Sequence, residues 1–143
     1  MSRIQLALNV ESLEEAVAFY TTLFGVEPAK RRPGYANFAV ADPPLKLVLF
    51  ESPGAGGSIN HLGVELDSSE EVEAHQARLA AGGLLADEEK DITCCYARQD
   101  KFWVTGPDGE RFEHYVVLAD AEDFGGPVDA GDPACCTAGA GVP

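Results

Sequence analysis

The chain carries four cysteines, and they fall in two adjacent pairs: Cys94-Cys95 within DITCCYARQD, and Cys135-Cys136 near the C-terminus. Adjacent cysteines rarely bond to each other, because Cα atoms only ~3.8 Å apart are closer than a disulfide usually spans. In a reducing compartment each pair stays as two thiols. A regular strand would turn neighbouring side chains to opposite faces. The stretch ADEEKDIT before Cys94 is acidic and polar, and reads as a loop in which the two sulfurs can converge. Converging thiolates suit a soft, thiophilic centre. Trivalent arsenic with one organic substituent has two exchangeable positions, so two thiolates satisfy it and leave the carbon–arsenic bond free. Cd²⁺ would also bind, but it wants more ligands. The competing role is that of small buried hydrophobes. Cys135 and Cys136 read as accessory thiols that capture or hand over the soft ligand, or as incidental.

Three other residues stand out because they are polar within apolar strands: Gln5 in IQLAL, His61 in NHLGV and Glu113 in RFEHY. An imidazole nitrogen, a carboxylate oxygen and an amide oxygen together suit a divalent first-row metal, such as Fe²⁺, Mn²⁺, Co²⁺ or Ni²⁺. Three protein ligands leave coordination positions open for substrate and O₂. The set resembles the 2-His-1-carboxylate facial triad of non-haem iron oxygenases, with Gln in place of one His. A strand histidine also serves as a hydrogen-bonded core residue, so His61 has a structural alternative. His114 is the rival ligand to Glu113, and alternation puts the two on opposite faces. His75, in EEVEAHQARL, reads as exposed helix surface.

The elements that must position these residues come from an internal repeat. IQLALNVESLEEAVAFYTTLFG, from Ile4, aligns with NHLGVELDSSEEVEAHQARLAA, from Asn60, at an offset of 56 residues. Leu6 falls on Leu62, Ser12 on Ser68, Glu14-Glu15 on Glu70-Glu71, and Leu23 on Leu79. Each copy predicts a strand, a serine cap with capping-box spacing to Glu15 or Glu71, and an amphipathic helix. Gly25 and Gly82-Gly83 stop the helices. Strands are expected after the first helix at about 26–29, 35–40 and 45–51. After the second they are expected at 84–86, 95–98, 102–105 and 112–118. Each half is thus βαβββ, with modules at about 1–53 and 58–120 joined by SPGAGGS. The fold class is α+β: tandem modules whose curved mixed sheet makes a cleft. The offset matches Gln5 to His61, and the last strands match Val48 to Glu113. Three of these four symmetric positions can bind a metal and one cannot.

Net charge is −14, divided as −1 over residues 1–53, −8 over 54–118 and −5 over 119–143. So acidic a chain is repelled by phosphate backbones, which argues against nucleic acid as a partner. No apolar run reaches the 18 residues of a membrane span, and MSRIQLALNV is too short and too alternating for a signal peptide. A cytoplasmic location is expected, with a monomer or homodimer as the assembly. Residues 121–143, rich in Ala, Gly, Asp and Pro, read as a flexible acidic tail.

The duplicated βαβββ pattern resembles the vicinal oxygen chelate superfamily of glyoxalases, extradiol dioxygenases and fosfomycin-resistance proteins. Within it, RPGYANFAVADPPLKLVL, NHLGVE, TCCYARQDKFWVTGPDGE and the final cysteine pair resemble the organoarsenical C–As lyases and their cadmium-induced relatives. The resemblance implies Fe(II)- and O₂-dependent cleavage of the C–As bond of trivalent organoarsenicals such as methylarsonite, releasing arsenite. It places iron on Gln5, His61 and Glu113 and arsenic on Cys94 and Cys95. The alternatives are a cadmium- or arsenite-binding resistance protein without catalysis, and a glyoxalase-like metalloenzyme. Val48 counts against a four-ligand isomerase site, and neither an isomerase nor a thiol transferase explains the vicinal thiols.

Overall fold

A computed structural model describes residues 2–84, 87–94 and 97–120. Element order is β1 (Arg3–Val10), α1 (Leu13–Phe24), β2 (Lys30–Arg32), β3 (Tyr35–Val40), β4 (Leu45–Glu51), β5 (Ile59–Glu65), α2 (Ser69–Ala81), β6 (Asp87–Cys94), β7 (Ala97–Thr105) and β8 (Arg111–Asp120). That is βαβββ twice, as the repeat predicts. The chain forms two compact units, which divide within β5 between Leu62 and Gly63.

In the N-terminal unit the strands neighbour one another in the order β2-β3-β4-β1-β5. β1 and β4 pair in parallel, with Gln5 beside Lys46, Ala7 beside Val48 and Asn9 beside Phe50. β4 pairs antiparallel with β3, which sets Asn37 beside Val48 and Tyr35 beside Phe50. One face therefore collects Gln5, Asn9, Tyr35, Asn37, Val48 and Phe50. The other packs under α1, where Leu13 and Val17 meet Ala36, Phe38, Val40, Leu47 and Leu49. Tyr20, Phe24 and Phe38 fill this interface as a run of rings 6.2 and 6.5 Å apart.

The C-terminal unit orders its strands β5-β8-β7-β6. β7 and β8 pair with Lys101 beside Tyr115 and Trp103 beside Glu113. Phe102, Val116, Leu66 and Val72 form a smaller core under α2.

Both helices begin as the capping boxes predict. Ser12 Oγ accepts from Glu15 N at 3.3 Å, and Ser68 Oγ accepts from Glu71 N at 3.2 Å. Gly25 ends α1 at φ 70°, a left-handed conformation that costs glycine no Cβ clash.

Several strand boundaries depart from the sequence reading. The strand expected at 26–29 forms later, at Lys30–Arg32, where β2 can pair with Tyr35–Asn37. The acidic stretch before Cys94 is strand β6 rather than a loop. It pairs with β7 across a register shift between Glu89 and Ile92. The two strands expected at 95–98 and 102–105 are one, β7, because Gln99, Asp100 and Lys101 all pair with β8, and Gln99 and Lys101 with β6 as well. Of the strand expected at 84–86, residues 85 and 86 lie outside the described residues, as do Cys95 and the tail from 121 to 143.

Candidate metal and thiol site

The N-terminal unit brings Gln5 and His61 together. Gln5 lies on β1 and His61 on β5, each 4% exposed, and Gln5 Nε2 is 3.1 Å from His61 Nε2. An amide nitrogen can only donate, so His61 Nε2 is the acceptor and carries the ring's lone pair. On the other side, His61 Nδ1 is 2.8 Å from Asn60 Oδ1, which can only accept. The proton therefore sits on Nδ1, and the two contacts agree on the tautomer. Asn60 Nδ2 donates in turn to Asn9 Oδ1 at 3.0 Å, and Asn9 Nδ2 donates to Ser58 Oγ at 2.9 Å. Ser52 Oγ donates to Asn9 Oδ1 at 3.4 Å. This chain of oriented neutral dipoles fixes the imidazole from behind, as the outer partners of metal-binding histidines do. Phe50 adds a ring 6.3 Å away. Farther along the same face, Asn37 Nδ2 donates to the buried Tyr35 hydroxyl at 2.9 Å.

Glu113 belongs to the C-terminal unit, on β8. It is 1% exposed, and its Oε1 accepts from Lys101 Nζ at 3.0 Å. Lys101 is as deeply buried, with its ammonium 5.5 Å from the Trp103 ring centre and 5.8 Å from that of Tyr115. The Tyr115 hydroxyl donates to Glu65 Oε2 at 3.1 Å. A buried carboxylate needs such a partner, because burial of an unpaired charge is strongly unfavourable. Val48, the fourth symmetric position, is a buried apolar residue on β4.

His114 faces away from Glu113, as strand alternation requires. Its ring stacks on Phe102 at 4.8 Å and lies 5.6 Å from that of His75 on α2. Burial pushes its pKa from 6.5 down to about 4. His75 and then Arg78 push the same way, and Glu113 partly opposes them. His114 is thus neutral at pH 7 and belongs to the helix side of the sheet. His75, read from sequence as exposed, is half-buried with an enclosed Nδ1.

Cys94 is the last residue of β6 and the cross-strand partner of Ala97. Cys95, Cys135 and Cys136 lie outside the described residues. Among the described residues no group of three or more His, Cys, Asp and Glu side chains forms a metal cluster. Gln5 and His61 are a two-donor pair whose buried nitrogen lone pair and amide suit a borderline divalent ion.

Sequence reasoning missed Lys101, Asn60 and Asn9. Lys101 had a signal, since a lysine between Gln99 and Trp103 on alternate positions of an apolar strand must be buried with a partner. Asn60 adjoins His61 and could have been suspected as its anchor. Asn9 becomes relevant only through a contact 51 residues away in sequence.

The model of the glyoxalase/bleomycin resistance protein/dioxygenase superfamily matches residues 3–114. The chain is 66% identical, over 125 residues, to the cadmium-induced protein CadI of Mycobacterium tuberculosis, covering 87% of this chain and 82% of that protein. It is 55% identical over 138 residues to the trivalent organoarsenical cleaving enzyme of Thermomonospora curvata, covering 96% and 89%. Among solved structures, the Mn(II)-bound glyoxalase of Novosphingobium aromaticivorans superposes with a TM-score of 0.59 at 22% identity, over 85% of this chain and 42% of that one. An extradiol ring-cleaving dioxygenase from B. fuscum gives 0.59 at 19%, over 85% and 34%. These two likenesses are of fold.

Proposed function

The chain belongs to the glyoxalase/bleomycin resistance protein/dioxygenase superfamily, and from that premise we propose that it cleaves the carbon–arsenic bond of trivalent organoarsenicals in an Fe(II)- and O₂-dependent reaction. The observation that carries this reading is the buried Gln5–His61 pair, with Nε2 of His61 accepting from the Gln5 amide and Nδ1 tied to Asn60. The similarity to a trivalent organoarsenical cleaving enzyme over nearly the whole chain supports the substrate class.

In this proposal Gln5, His61 and Glu113 hold the metal. Gln5 would present its carbonyl oxygen, which requires its terminal amide in the orientation opposite to the one that meets His61. His61 binds through Nε2 and keeps its proton on Nδ1, held by Asn60. Lys101 Nζ, 3.0 Å from Glu113 Oε1, holds that oxygen and leaves Oε2 as the one to meet the metal. When bound, Fe²⁺ supplies the means of activating O₂. Cys94 and Cys95 bind arsenic as thiolates and fix the orientation of its organic group, so that this part of catalysis is positioning. The partners are thus a small organoarsenical and O₂.

The test is arsenic speciation. Reduced protein is loaded anaerobically with Fe²⁺, given methylarsonite, and then exposed to O₂. Arsenite that appears only with both iron and O₂ is the expected result. Methylarsonite that stays bound and uncleaved would favour a second reading, soft-metal sequestration by the thiols. The similarity to cadmium-induced proteins is what keeps that reading in play.

A further inference from the structure

The buried Lys101–Glu113 pair lies on the face of β7 and β8 opposite α2, since Phe102 and Val116 pack under the helix and neighbouring residues alternate. The N-terminal repeat has no such pair. Val48 matches Glu113, so Phe50, two residues on, matches Tyr115. Phe50 pairs with Tyr35 on β3, and Tyr115 pairs with Lys101 on β7. The repeat whose last strand carries valine thus has a neutral tyrosine at this position. The repeat whose last strand carries a carboxylate has a cation there.

A second cation lies on the same face. Arg111 precedes Glu113 by two residues, so alternation turns both the same way. Its guanidinium carbon is 4.6 Å from the centre of the Trp103 ring, and Trp103 is the cross-strand neighbour of Glu113. Arg111 Nε is buried without a hydrogen-bond partner, so no carboxylate meets that nitrogen. One further carboxylate belongs to this group: Glu65, which accepts from the Tyr115 hydroxyl and is half-buried. Water screens Glu65 and Arg111 in part, whereas Lys101 and Glu113 are each 1% exposed and are screened far less.

We infer that Lys101, assisted by Arg111, is a positioning residue that keeps a metal held by Glu113 in its divalent state. The inference rests on the reading of Gln5, His61 and Glu113 as metal ligands. Gln5 is neutral, and His61 enters as the neutral imidazole, so Glu113 is the one charge that the three ligands bring. Lys101 cancels it, and the protein offers the ion no net negative charge at this carboxylate. Loss of an electron from the ion would add a positive charge beside a buried ammonium, and such repulsion is far stronger inside a protein than in water. Net charge and burial around protein-bound iron set its potential in the same way. Arg111 acts in the same direction, from farther out and partly through water. The proposed reaction depends on Fe(II), so the two cations guard the valence it needs.

The test is a redox titration of the iron-loaded full chain with mediators, followed by the electron paramagnetic resonance signal of high-spin Fe³⁺. Lys101→Gln removes the charge and keeps an amide that can donate to Glu113. It should favour Fe³⁺ at least tenfold more than the wild type, a fall in potential of about 59 mV or more. Lys101→Arg keeps the charge and should stay within about threefold of the wild type, and Arg111→Gln should shift the balance towards Fe³⁺ by about threefold. A lysine with only a structural role would lower stability and leave the potential where it is. An unchanged potential in Lys101→Gln, or in Arg111→Gln should the lysine variant not fold, would overturn this inference and leave the ligand set standing. A wild-type chain that takes up no Fe²⁺ in an anaerobic titration would overturn the ligand set, and this inference with it.

Discussion

The two units share a βαβββ plan and bury their polar residues by opposite means. The N-terminal unit uses neutral groups: Gln5, His61, Asn60, Asn9 and Ser58 pass hydrogen bonds along without a formal charge. The C-terminal unit buries a full ion pair, Lys101–Glu113, flanked by Trp103 and by Tyr115, whose hydroxyl bonds Glu65. A neutral network orients its members and loses modestly when one is removed. A buried pair is costly to break, since the survivor is left charged and dehydrated. In the first, a neutral amide, that of Gln5, meets the imidazole nitrogen. In the second, a lysine already meets the carboxylate.

The largest contrast should come from the neutral network. His61→Ala should abolish binding of Fe²⁺ or its spectroscopic substitute Co²⁺, a loss of more than a hundredfold measured by titration. Arsenic binding by the thiols should survive. Asn60→Leu leaves the ligand but frees the ring, and should weaken the metal by about 10–100-fold with little change in folding. Equal effects of the two variants would mean that the network orients nothing.

The ion pair should respond in stability first. Lys101→Met leaves Glu113 buried and unpaired, and should destabilise the fold by about 3–5 kcal/mol in denaturant titrations. A divalent cation should restore part of that loss if Glu113 is a metal ligand. Restoration by Mg²⁺ or Mn²⁺ in the wild type as well as the variant would detach the effect from Lys101.

How far the sequence carried this comparison depends on the range of the interactions. The repeat was legible because caps and strand alternation are local: Ser12, Ser68 and the apolar positions of β1 and β5 announce themselves within a few residues. The same offset put Gln5 opposite His61, and the structure sets them 3.1 Å apart. What stayed hidden was non-local or contrary to composition. DEEKDIT has the polarity of a loop, yet it pairs along β7 because ladder hydrogen bonds outweigh a weak intrinsic strand preference. The link from Asn60 to Asn9 spans 51 residues and leaves no local trace.

The helix side of the C-terminal unit gives a pH prediction. The folded pKa of His114 is about 4, below the 6.5 of the unfolded chain. Between those values the unfolded state binds more protons, so stability falls as pH drops from 6.5 towards 4 and this contribution is flat below that. The total is on the order of 3 kcal/mol, at about 1.4 kcal/mol for each unit of pKa. Measured against His114→Phe, the wild type should lose this amount across that window. Parallel stability curves for the two proteins would show that His75, Arg78 and burial leave His114 unperturbed.

The smallest expected difference separates the ends of the two helices. Gly82 and Gly83 both follow α2, but only Gly83 is left-handed, at φ 86°, while Gly82 has φ −81°. A Cβ on Gly82 would meet nothing nearer than a backbone oxygen at 3.5 Å, an ordinary contact. Gly82→Ala should therefore be neutral or stabilise by up to about 1 kcal/mol, because alanine narrows the unfolded ensemble. Gly83→Ala should destabilise by about 1 kcal/mol, since a Cβ is strained at that φ even in open space. Gly25→Ala, at φ 70° after α1, should match Gly83→Ala. Thermal unfolding of the three variants separates the cases: if Gly82→Ala falls as far as the other two, the α2 terminus is held by more than its left-handed residue.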